Sequence, residues 1–222
     1  MNIVKASAEI VYPNVKDPEV VKDMYLNFEE AGRTCYASSM KEDGTAKFLR
    51  KIIENEHLTV IEHAVVTVKF VVDRGVSHEI VRHRIASFSQ QSTRYCNYSH
   101  EKFGSAISVI EPFIMENEYD GPEWIETFID EWMNAMTQCE DSYMKMVNAG
   151  VPPEWARTVL PNSTKTELRM TANLREWRHF FNLRAAGTTG KPHPQMKEVA
   201  VQLLKEFQRY MPEIFGDIEV EA

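Results

Sequence analysis

The residues from 82 to 95 are the densest group of chemically capable side chains in this sequence of 222 residues. Arg82 and Arg84 bracket His83, then serines and two glutamines follow, and Arg94 comes next to last in the run. Guanidinium groups bind phosphates through paired N–H donors, and hydroxyls and amides match carbonyls and heterocycle edges. The run therefore predicts recognition of phosphate and heterocyclic groups, although a solvated charged helix face would have a similar composition.

The charge is unevenly distributed along the chain. The formal net charge is −8, but residues 74–94 hold four Arg against one Glu, and residues 157–184 hold five Arg and one Lys against two Glu. A protein that coats nucleic acid or an anionic membrane would usually carry a basic domain. Two basic segments on an acidic chain instead predict pockets for small anions, with neither nucleic acid nor membrane as a partner.

The spacing of Val76, Ile80 and Ile85 predicts a helix from 76 to about 86. At about 100° per residue, Arg84 falls within the apolar arc of this helix, and Arg82 lies about 200° away from Arg84. An arginine among apolar neighbours needs an anionic or hydrogen-bonding partner. Two arginines that diverge in this way predict a ligand held between elements or between subunits, and hence an activity that requires an oligomer.

Apolar periodicity predicts the elements that must position these residues. Helices are expected over 17–32, 45–54, 122–150, 152–160, 175–184 and 194–211, strands over 64–72 and 164–173, and a long loop with short strand pieces over 97–121. Asp17 and Pro18 are typical of a helix start, and Gly32 of a helix end. Because no linker or repeat divides the chain, we expect residues 1–222 to form a single domain.

Histidines and glutamates could form a metal site in principle. The candidate ligands are His57, Glu62, His63, His78, Glu79 and His83. None of the histidine pairs has the i, i+4 helical spacing of a zinc protease, so we expect no metal.

The cysteines and the N-terminus bear on the compartment. Cys35, Cys96 and Cys139 are odd in number and contain no CxxC pair, so they predict neither a disulfide framework nor a cysteine–zinc site. The N-terminal residues contain no uninterrupted apolar stretch typical of a signal peptide. We therefore expect a cytoplasmic protein.

The run from 82 to 95 resembles the signature of the flavin-dependent thymidylate synthases, which is Arg-His-Arg, seven residues and then Ser. Arg82-His83-Arg84 and Ser92 match at that spacing, and Arg94-Tyr95 extends the match. Further blocks that resemble the family follow in order: His57-Leu58-Thr59, Glu62-His63, Arg157 before Leu160-Pro161, Asn173-Leu174-Arg175 and Asn182-Leu183-Arg184. The resemblance covers about residues 31 to 200.

This resemblance implies a fold and a reaction. The fold would be α+β, one domain with a mixed or antiparallel sheet flanked by long helices, assembled as a homotetramer. The enzyme would bind FAD and methylate dUMP to dTMP, with 5,10-methylenetetrahydrofolate as carbon donor and NADPH as reductant. Since no G-x-G-x-x-G follows a strand, the FAD expectation depends on the resemblance alone.

The resemblance also implies site residues by position. The residues expected to bind FAD are Thr59, Arg82, His83, Arg84, Gln90, Asn173, Leu174, Arg175 and His179. The residues expected to bind dUMP are Glu79, Ile80, Val81, Arg82, Gln90, Gln91, Ser92, Thr93, Arg94, Arg157 and Arg184. Arg184 would be catalytic, because its guanidinium against the uracil ring stabilises the negative charge that develops there.

Two other functions stay open when the residues are considered without the resemblance. The histidines and glutamates could build a metal-dependent nucleotide phosphohydrolase, which would be colourless and sensitive to chelators. The basic segments could instead belong to a regulator that binds a nucleotide without turning it over.

Overall fold

The structure is a computed structural model that describes residues 1–35, 37–40, 44–116 and 123–220. The strands are β1 (Asn2–Val4), β2 (Ser7–Tyr12), β3 (Val65–Asp73), β4 (Ala86–Gln90), β5 (Ser108–Ile110) and β6 (Lys165–Asn173). The α-helices are α1 (Pro18–Cys35), α2 (Thr45–Glu54), α3 (Arg74–Ile80), α4 (Phe113–Glu116), α5 (Trp124–Asn148), α6 (Pro153–Ala156), α7 (Leu174–Phe181), α8 (Pro194–Tyr210) and α9 (Pro212–Phe215). Gly121 and Pro122, the expected loop end and helix start, lie outside the described residues.

Strands β2, β3, β6 and β4 are hydrogen-bonded neighbours in that order, and β1 pairs with β5 in parallel. The predicted alternation is confirmed in β3 and β6, where every second side chain is buried. The hydroxyls of Thr67 and Thr171 are 2.8 Å apart, and Arg74 N–H donates to the Thr164 carbonyl at 3.1 Å. Because the partner's number falls as the residue number rises, β3 and β6 are antiparallel. The expected mixture of helices with a largely antiparallel sheet is confirmed.

The chain divides into two compact units. Unit 1 comprises residues 1–7, 70–82 and 89–168. Its core is formed where α5 packs on the segment that contains β5, with Tyr98, Ile107, Val109, Met136 and Tyr143 all buried. The Tyr98 and Tyr143 rings are 5.7 Å apart, and the Tyr143 hydroxyl accepts from the Tyr98 N–H at 3.3 Å. This core supports the residues that follow β4.

Unit 2 comprises residues 8–69, 83–88 and 169–222. Five fully buried aromatic side chains from α7, α8 and α9 stack edge to face or tilted in its core: Trp177, Phe180, Phe181, Phe207 and Phe215. The Trp177 indole N–H donates to the Val66 carbonyl at 3.0 Å, which satisfies the polar atom of the largest buried side chain. This packing holds α7 rigidly, and α7 carries several of the predicted site residues.

Helix α1 does not end at Gly32 as predicted but continues to Cys35. A Cβ at Gly32 would lie 2.5 Å from Cζ of Phe48 on α2. Glycine at this position leaves room for the Phe48 ring against α1, and a glycine used in packing was mistaken for a helix end.

The predicted helix 76–86 is wrong in its second half. Helix α3 ends at Ile80, and Ala86–Gln90 forms strand β4 beside β6. The Gln91 N–H continues this pairing by donating to the Glu167 carbonyl at 2.8 Å. Pairing with a sheet neighbour overrides the local helical period. Arg82 and Arg84 thus lie outside any helix and are exposed, as is Ile85. The prediction that they diverge on one helix is wrong, and it gives no reason for activity to require an oligomer.

The predicted helix 175–184 is α7 followed by a π-helical turn, Asn182–Ala186. Gly187 takes a left-handed φ of 72°, and the Thr188 N–H donates to the Asn182 carbonyl at 3.0 Å. This hydrogen bond, to the carbonyl six residues earlier, ends the helix. Arg184 lies within the widened turn.

Across the described residues, no helix has both the length and the apolar content needed to span a membrane.

Candidate active site

His83 lies at the centre of a buried polar cluster in unit 2. Its Nδ1 is 3.0 Å from Oε1 of Glu176, and its Nε2 accepts from Nε of Arg184 at 3.3 Å. The His83 ring also lies against Phe180, at 4.9 Å between centroids, and against His179, at 5.6 Å. The structure therefore brings together His83 and His179, which were predicted to bind FAD, and Arg184, which was predicted to bind dUMP, and it adds Glu176, which was not predicted.

The two hydrogen bonds define the tautomer of His83. A guanidinium can only donate, so Nε2 of His83 must carry the lone pair and Nδ1 must carry the proton. Burial, followed by the charges of Arg184 and His179, lowers the pKa of His83 to about 4. His83 is therefore neutral near pH 7, with Nδ1–H donating to Glu176. Burial also raises the pKa of the Glu176 carboxyl, while His179 opposes that shift.

A metal site was the main alternative use of the histidines. In the described part of the chain, the group with three suitable ligand atoms within 4.8 Å of one another is His83, Glu176 and His179, not the set proposed from sequence. Both ring nitrogens of His83 are already used, one toward Glu176 and one toward Arg184. A divalent cation would need the lone pair that accepts from Arg184 and would lie beside its positive charge, so this geometry disfavours a metal.

A cavity of about 370 Å³ in unit 2 is lined by two more predicted residues, Thr59 and Arg175. Arg175 Nη1 donates to Oε1 of Glu62 at 2.6 Å, and both side chains are about half exposed. A hydroxyl and a guanidinium are donors that suit a pyrophosphate, and apolar Ile52 and Leu58 line the same space. The residues present therefore fit the phosphate-bearing part of a dinucleotide such as FAD.

Asn173 and Leu174 have structural roles at the start of α7. The Asn173 side chain caps α7 by accepting from the Glu176 N–H at 2.9 Å, and Leu174 is fully buried. An N-cap oxygen satisfies one of the first free N–H groups of a helix. Any contact of Leu174 with a ligand would have to come from its backbone.

The predicted substrate segment in unit 1 is anchored by Gln90. Its Nε2 donates to the Ser77 hydroxyl at 2.9 Å and to the Thr166 hydroxyl at 3.3 Å. The next residue, Gln91, has a buried side-chain oxygen with no hydrogen-bond partner among the described residues. A buried acceptor left unpaired is costly, and it is the kind of group that a ligand donor would satisfy.

Two arginines flank the end of this segment. Arg157 Nη1 lies 3.5 Å from the Thr93 hydroxyl, and Arg94 Nε donates to Oε2 of Glu154 at 3.0 Å. The Arg94 guanidinium also lies over the exposed Tyr95 ring, 5.3 Å from its centroid. The arrangement offers two cations and nearby hydroxyls to an anion, with Glu154 occupying part of the Arg94 fork.

The remaining predicted residues are less concentrated. Arg82 and Arg84 are exposed, and Glu79 and Val81 are partly buried at the end of α3. Ile80 is fully buried, so its side chain belongs to the core.

Glu176 and Glu154 were missed by the sequence analysis. Glu176 is the third residue of α7 after its N-cap, a position where a glutamate commonly caps its own helix. Glu154 follows two prolines at a helix start, where an acidic residue is equally ordinary. Neither position carries a signal that separates a site residue from a capping residue.

The sequence matches the family described as "Thymidylate synthase complementing protein" over residues 20–213. It is 35% identical over 196 residues to the flavin-dependent thymidylate synthase of Geobacter sulfurreducens, covering 84% of this chain and 78% of that protein. It is 32% identical over 214 residues to that of Corynebacterium glutamicum, covering 87% of this chain and 79% of the relative. The chain therefore belongs to the flavin-dependent thymidylate synthase family, which confirms the resemblance seen in the sequence.

A solved structure has a similar fold. It is the crystal structure of the UMP/dUMP methylase PolB from Streptomyces cacaoi bound with 5-Br dUMP, with a TM-score of 0.75 over 97% of this chain and 96% of that one. At 21% sequence identity, this likeness shows the fold alone.

Proposed function

We propose that this chain catalyses the FAD-dependent reductive methylation of dUMP to dTMP in the cytoplasm. The carbon comes from 5,10-methylenetetrahydrofolate and the reducing equivalents from NADPH. A methylene carbon needs two electrons and a proton to become a methyl group, so a reductant is required by the stoichiometry. When bound, FAD supplies the two-electron chemistry that links the nicotinamide to this reduction.

The observation that carries the proposal is the hydrogen bond between Arg184 and His83, two residues of separate family blocks, within unit 2. The names of the relatives and the 5-Br dUMP bound to PolB agree with a uridylate substrate. A catalytic guanidinium benefits from a fixed plane, and the neutral His83 ring supplies an acceptor that fixes the plane of Arg184.

In the proposed mechanism, Arg94 and Arg157 hold the dUMP phosphate. Both are exposed cations next to Ser92 and Thr93, whose hydroxyls and backbone add hydrogen-bonding groups. Gln90 to Thr93 would complete this contact together with the backbone of residues 79–82. The Gln91 side-chain oxygen accepts a donor from the bound nucleotide. These contacts exist before and during reaction, so they set substrate affinity.

Arg184 stabilises the uracil ring as it gains negative charge. A guanidinium stays protonated at any working pH and presents planar paired donors, which suit a ring carbonyl that becomes an oxyanion. The Arg184 Nε contact with His83 fixes the plane of those donors. His83 stays neutral because burial and Arg184 lower its pKa to about 4, so it adds no second positive charge.

Thr59 and Arg175 would hold the phosphates of FAD at the cavity that they line. Arg82, His83, Arg84, Gln90, Asn173, Leu174 and His179 are proposed to contact the rest of the cofactor. Residues 1–222 act as one flavin-dependent thymidylate synthase domain, and a homotetramer is the proposed assembly. The family resemblance is the basis for this assembly.

The visible spectrum of the purified protein tests the proposal. We expect oxidised-flavin absorbance after incubation with FAD, bleached anaerobically by NADPH. A colourless protein that hydrolyses nucleotides only with added metal would support the phosphohydrolase. A protein that binds dUMP but neither holds flavin nor forms dTMP would support the regulator.

A further inference from the structure

Glu176 is a buried acid that the proposed mechanism does not use. Only 6% of its surface is exposed, and 3% of that of His83. The backbone of Glu176 is fixed by the Asn173 cap, and its carboxylate reaches Nδ1 of His83 at 3.0 Å. The carboxylate of a glutamate at this helix position would ordinarily turn back to cap the helix, but here it accepts from a histidine far away in sequence.

The three side chains form a directional chain of hydrogen bonds. Arg184 Nε–H donates to His83 Nε2, and His83 Nδ1–H donates to Glu176 Oε1. Each bond constrains the next, because His83 can accept at Nε2 only while its proton stays on Nδ1. An acceptor at position 176 therefore favours the tautomer that Arg184 needs.

We propose that Glu176 is a positioning residue for this reaction: by holding the proton of His83 on Nδ1, it keeps Nε2 available to orient the Arg184 guanidinium. This inference rests on the proposed role of Arg184 in dUMP methylation. In this proposal Glu176 acts on neither the substrate nor the reacting atoms directly. Its effect passes through His83, as a carboxylate orients the histidine of a catalytic triad.

Two substitutions separate this role from simple packing. Glu176→Gln keeps the shape of the side chain and one acceptor oxygen. Because Arg184 must donate to Nε2 of His83, Nδ1 keeps its proton, and the glutamine amide turns its oxygen toward that Nδ1–H. Glu176→Leu keeps most of the volume but removes every acceptor. It leaves His83 either with a buried unpaired Nδ1–H or with the proton moved to Nε2, where it opposes Arg184.

Asp217→Asn is the matched control. Asp217 accepts two hydrogen bonds from Arg178 on the same helix α7, at 2.6 and 2.7 Å. Arg178 has no part in the proposed site. The control therefore removes a carboxylate that pairs with an arginine of α7, and it leaves the hydrogen-bond partners of His83 unchanged.

The experiment combines ¹⁵N NMR of the His83 ring, assigned with a His83→Gln variant, with steady-state kinetics of dTMP formation. In the wild type and in Glu176→Gln we expect ¹⁵N signals of a His83 ring that is protonated on Nδ1 and unprotonated on Nε2. The kcat values of these two proteins should agree within about threefold. In Glu176→Leu we expect an increased Nε2–H population and a kcat lower by about tenfold or more, with the dUMP KM nearly unchanged. Asp217→Asn should keep the wild-type tautomer and kcat.

Several results would overturn the proposal. These are a wild-type His83 that is protonated on Nε2, a Glu176→Leu enzyme with the wild-type kcat, and equal losses in Glu176→Leu and Asp217→Asn. If the wild type binds FAD and dUMP yet forms no dTMP, the proposed function fails. The NMR comparison then still decides whether Glu176 sets the tautomer, and an unchanged tautomer in Glu176→Leu rejects that as well.

Discussion

The Nε–H of Arg184 lies 3.3 Å from Nε2 of His83, although 101 positions separate the two residues in the chain. The contact depends on a π-helical turn that carries Arg184 and on a turn after α3 that buries His83. Because the imidazole is neutral and accepts, it orients the guanidinium without competing with it for a negative charge.

Arg184 and Arg94 should fail in different ways when each is replaced by lysine. Arg184→Lys replaces planar paired donors with a compact ammonium where charge develops, so kcat should fall by about 100-fold. Arg94→Lys weakens a ground-state phosphate contact, so the dUMP KM should rise by about tenfold with kcat largely kept. Steady-state kinetics at equal FAD content measure both. A pure KM defect in Arg184→Lys would contradict the catalytic role.

Removing Glu154 should tighten the binding of dUMP. The Glu154 carboxylate is 3.0 Å from Arg94 Nε and competes for the guanidinium proposed to hold the phosphate. Because both side chains are about half exposed, the gain is modest, and we expect Glu154→Gln to lower the dUMP KM by about two- to fivefold at low salt and less at high salt.

Glu19→Gln is the control for that experiment, because it removes the same charge from the exposed Lys22 pair on α1. An unchanged or higher KM in Glu154→Gln, or an equal decrease in the control, would count against a phosphate site at Arg94.

Stability should fall in acid through His83. Its folded pKa of about 4 lies below the ordinary value of 6.5, so the unfolded state binds the proton more readily and stability is lost as pH falls from about 6.5 to about 4. Burial is the main cause of this lowered pKa, and the charges of Arg184 and His179 add to it. Glu176 has the opposite effect on stability in acid. Its pKa is raised in the folded state, so the folded protein binds this proton more readily than the unfolded chain does.

The contribution of His83 is isolated by comparing unfolding free energies of the wild type and His83→Gln across this pH range. We expect the wild type to lose up to about 3 kcal/mol more than the variant. Parallel pH profiles for the two proteins would show that His83 is not held neutral by the fold.

Thr59 and Arg175 should determine the affinity for FAD. Both line the cavity of about 370 Å³ that is proposed to hold the phosphates of FAD. Arg175→Gln should weaken FAD binding by about tenfold or more, and Thr59→Val by less, since a charge-assisted contact is the stronger one. Flavin fluorescence titration measures both.

Arg50→Gln is the charge-matched control, because Arg50 is exposed and forms a long pair with the partly buried Glu213 at 3.9 Å. Wild-type FAD affinity in Arg175→Gln would place the cofactor elsewhere.

The sequence predicted regular elements well where one period dominated. The alternation in β3 and β6 and the long apolar stripe of α8 were assigned correctly because burial on one face fixes such patterns. Helix α5 was also assigned correctly, although its buried residues are Met136 and Tyr143, and Trp124 and Phe128 of the predicted stripe are exposed. The strand β4 was missed because its pairing partner, β6, lies far away along the chain. Strands β1 and β2 were not predicted either, and their short, largely exposed residues carry little periodic signal.

The site was predicted in part for a similar reason. The motif located His83 and the family blocks located Arg184, but their contact depends on a turn that no local pattern specifies. Glu176 was missed because a glutamate at that helix position has an ordinary local use. Residues whose role depends on a partner about 90 positions away require the fold.

Transfer of labelled carbon is the most direct test of the central claim. The purified chain, loaded with FAD, is incubated anaerobically with dUMP, NADPH and 5,10-methylenetetrahydrofolate carrying ¹³C at the methylene carbon, and the nucleotide is analysed by mass spectrometry. We expect dTMP with the label in its methyl group, formed only when NADPH is present. Bound flavin and bound dUMP with no labelled dTMP would contradict the account.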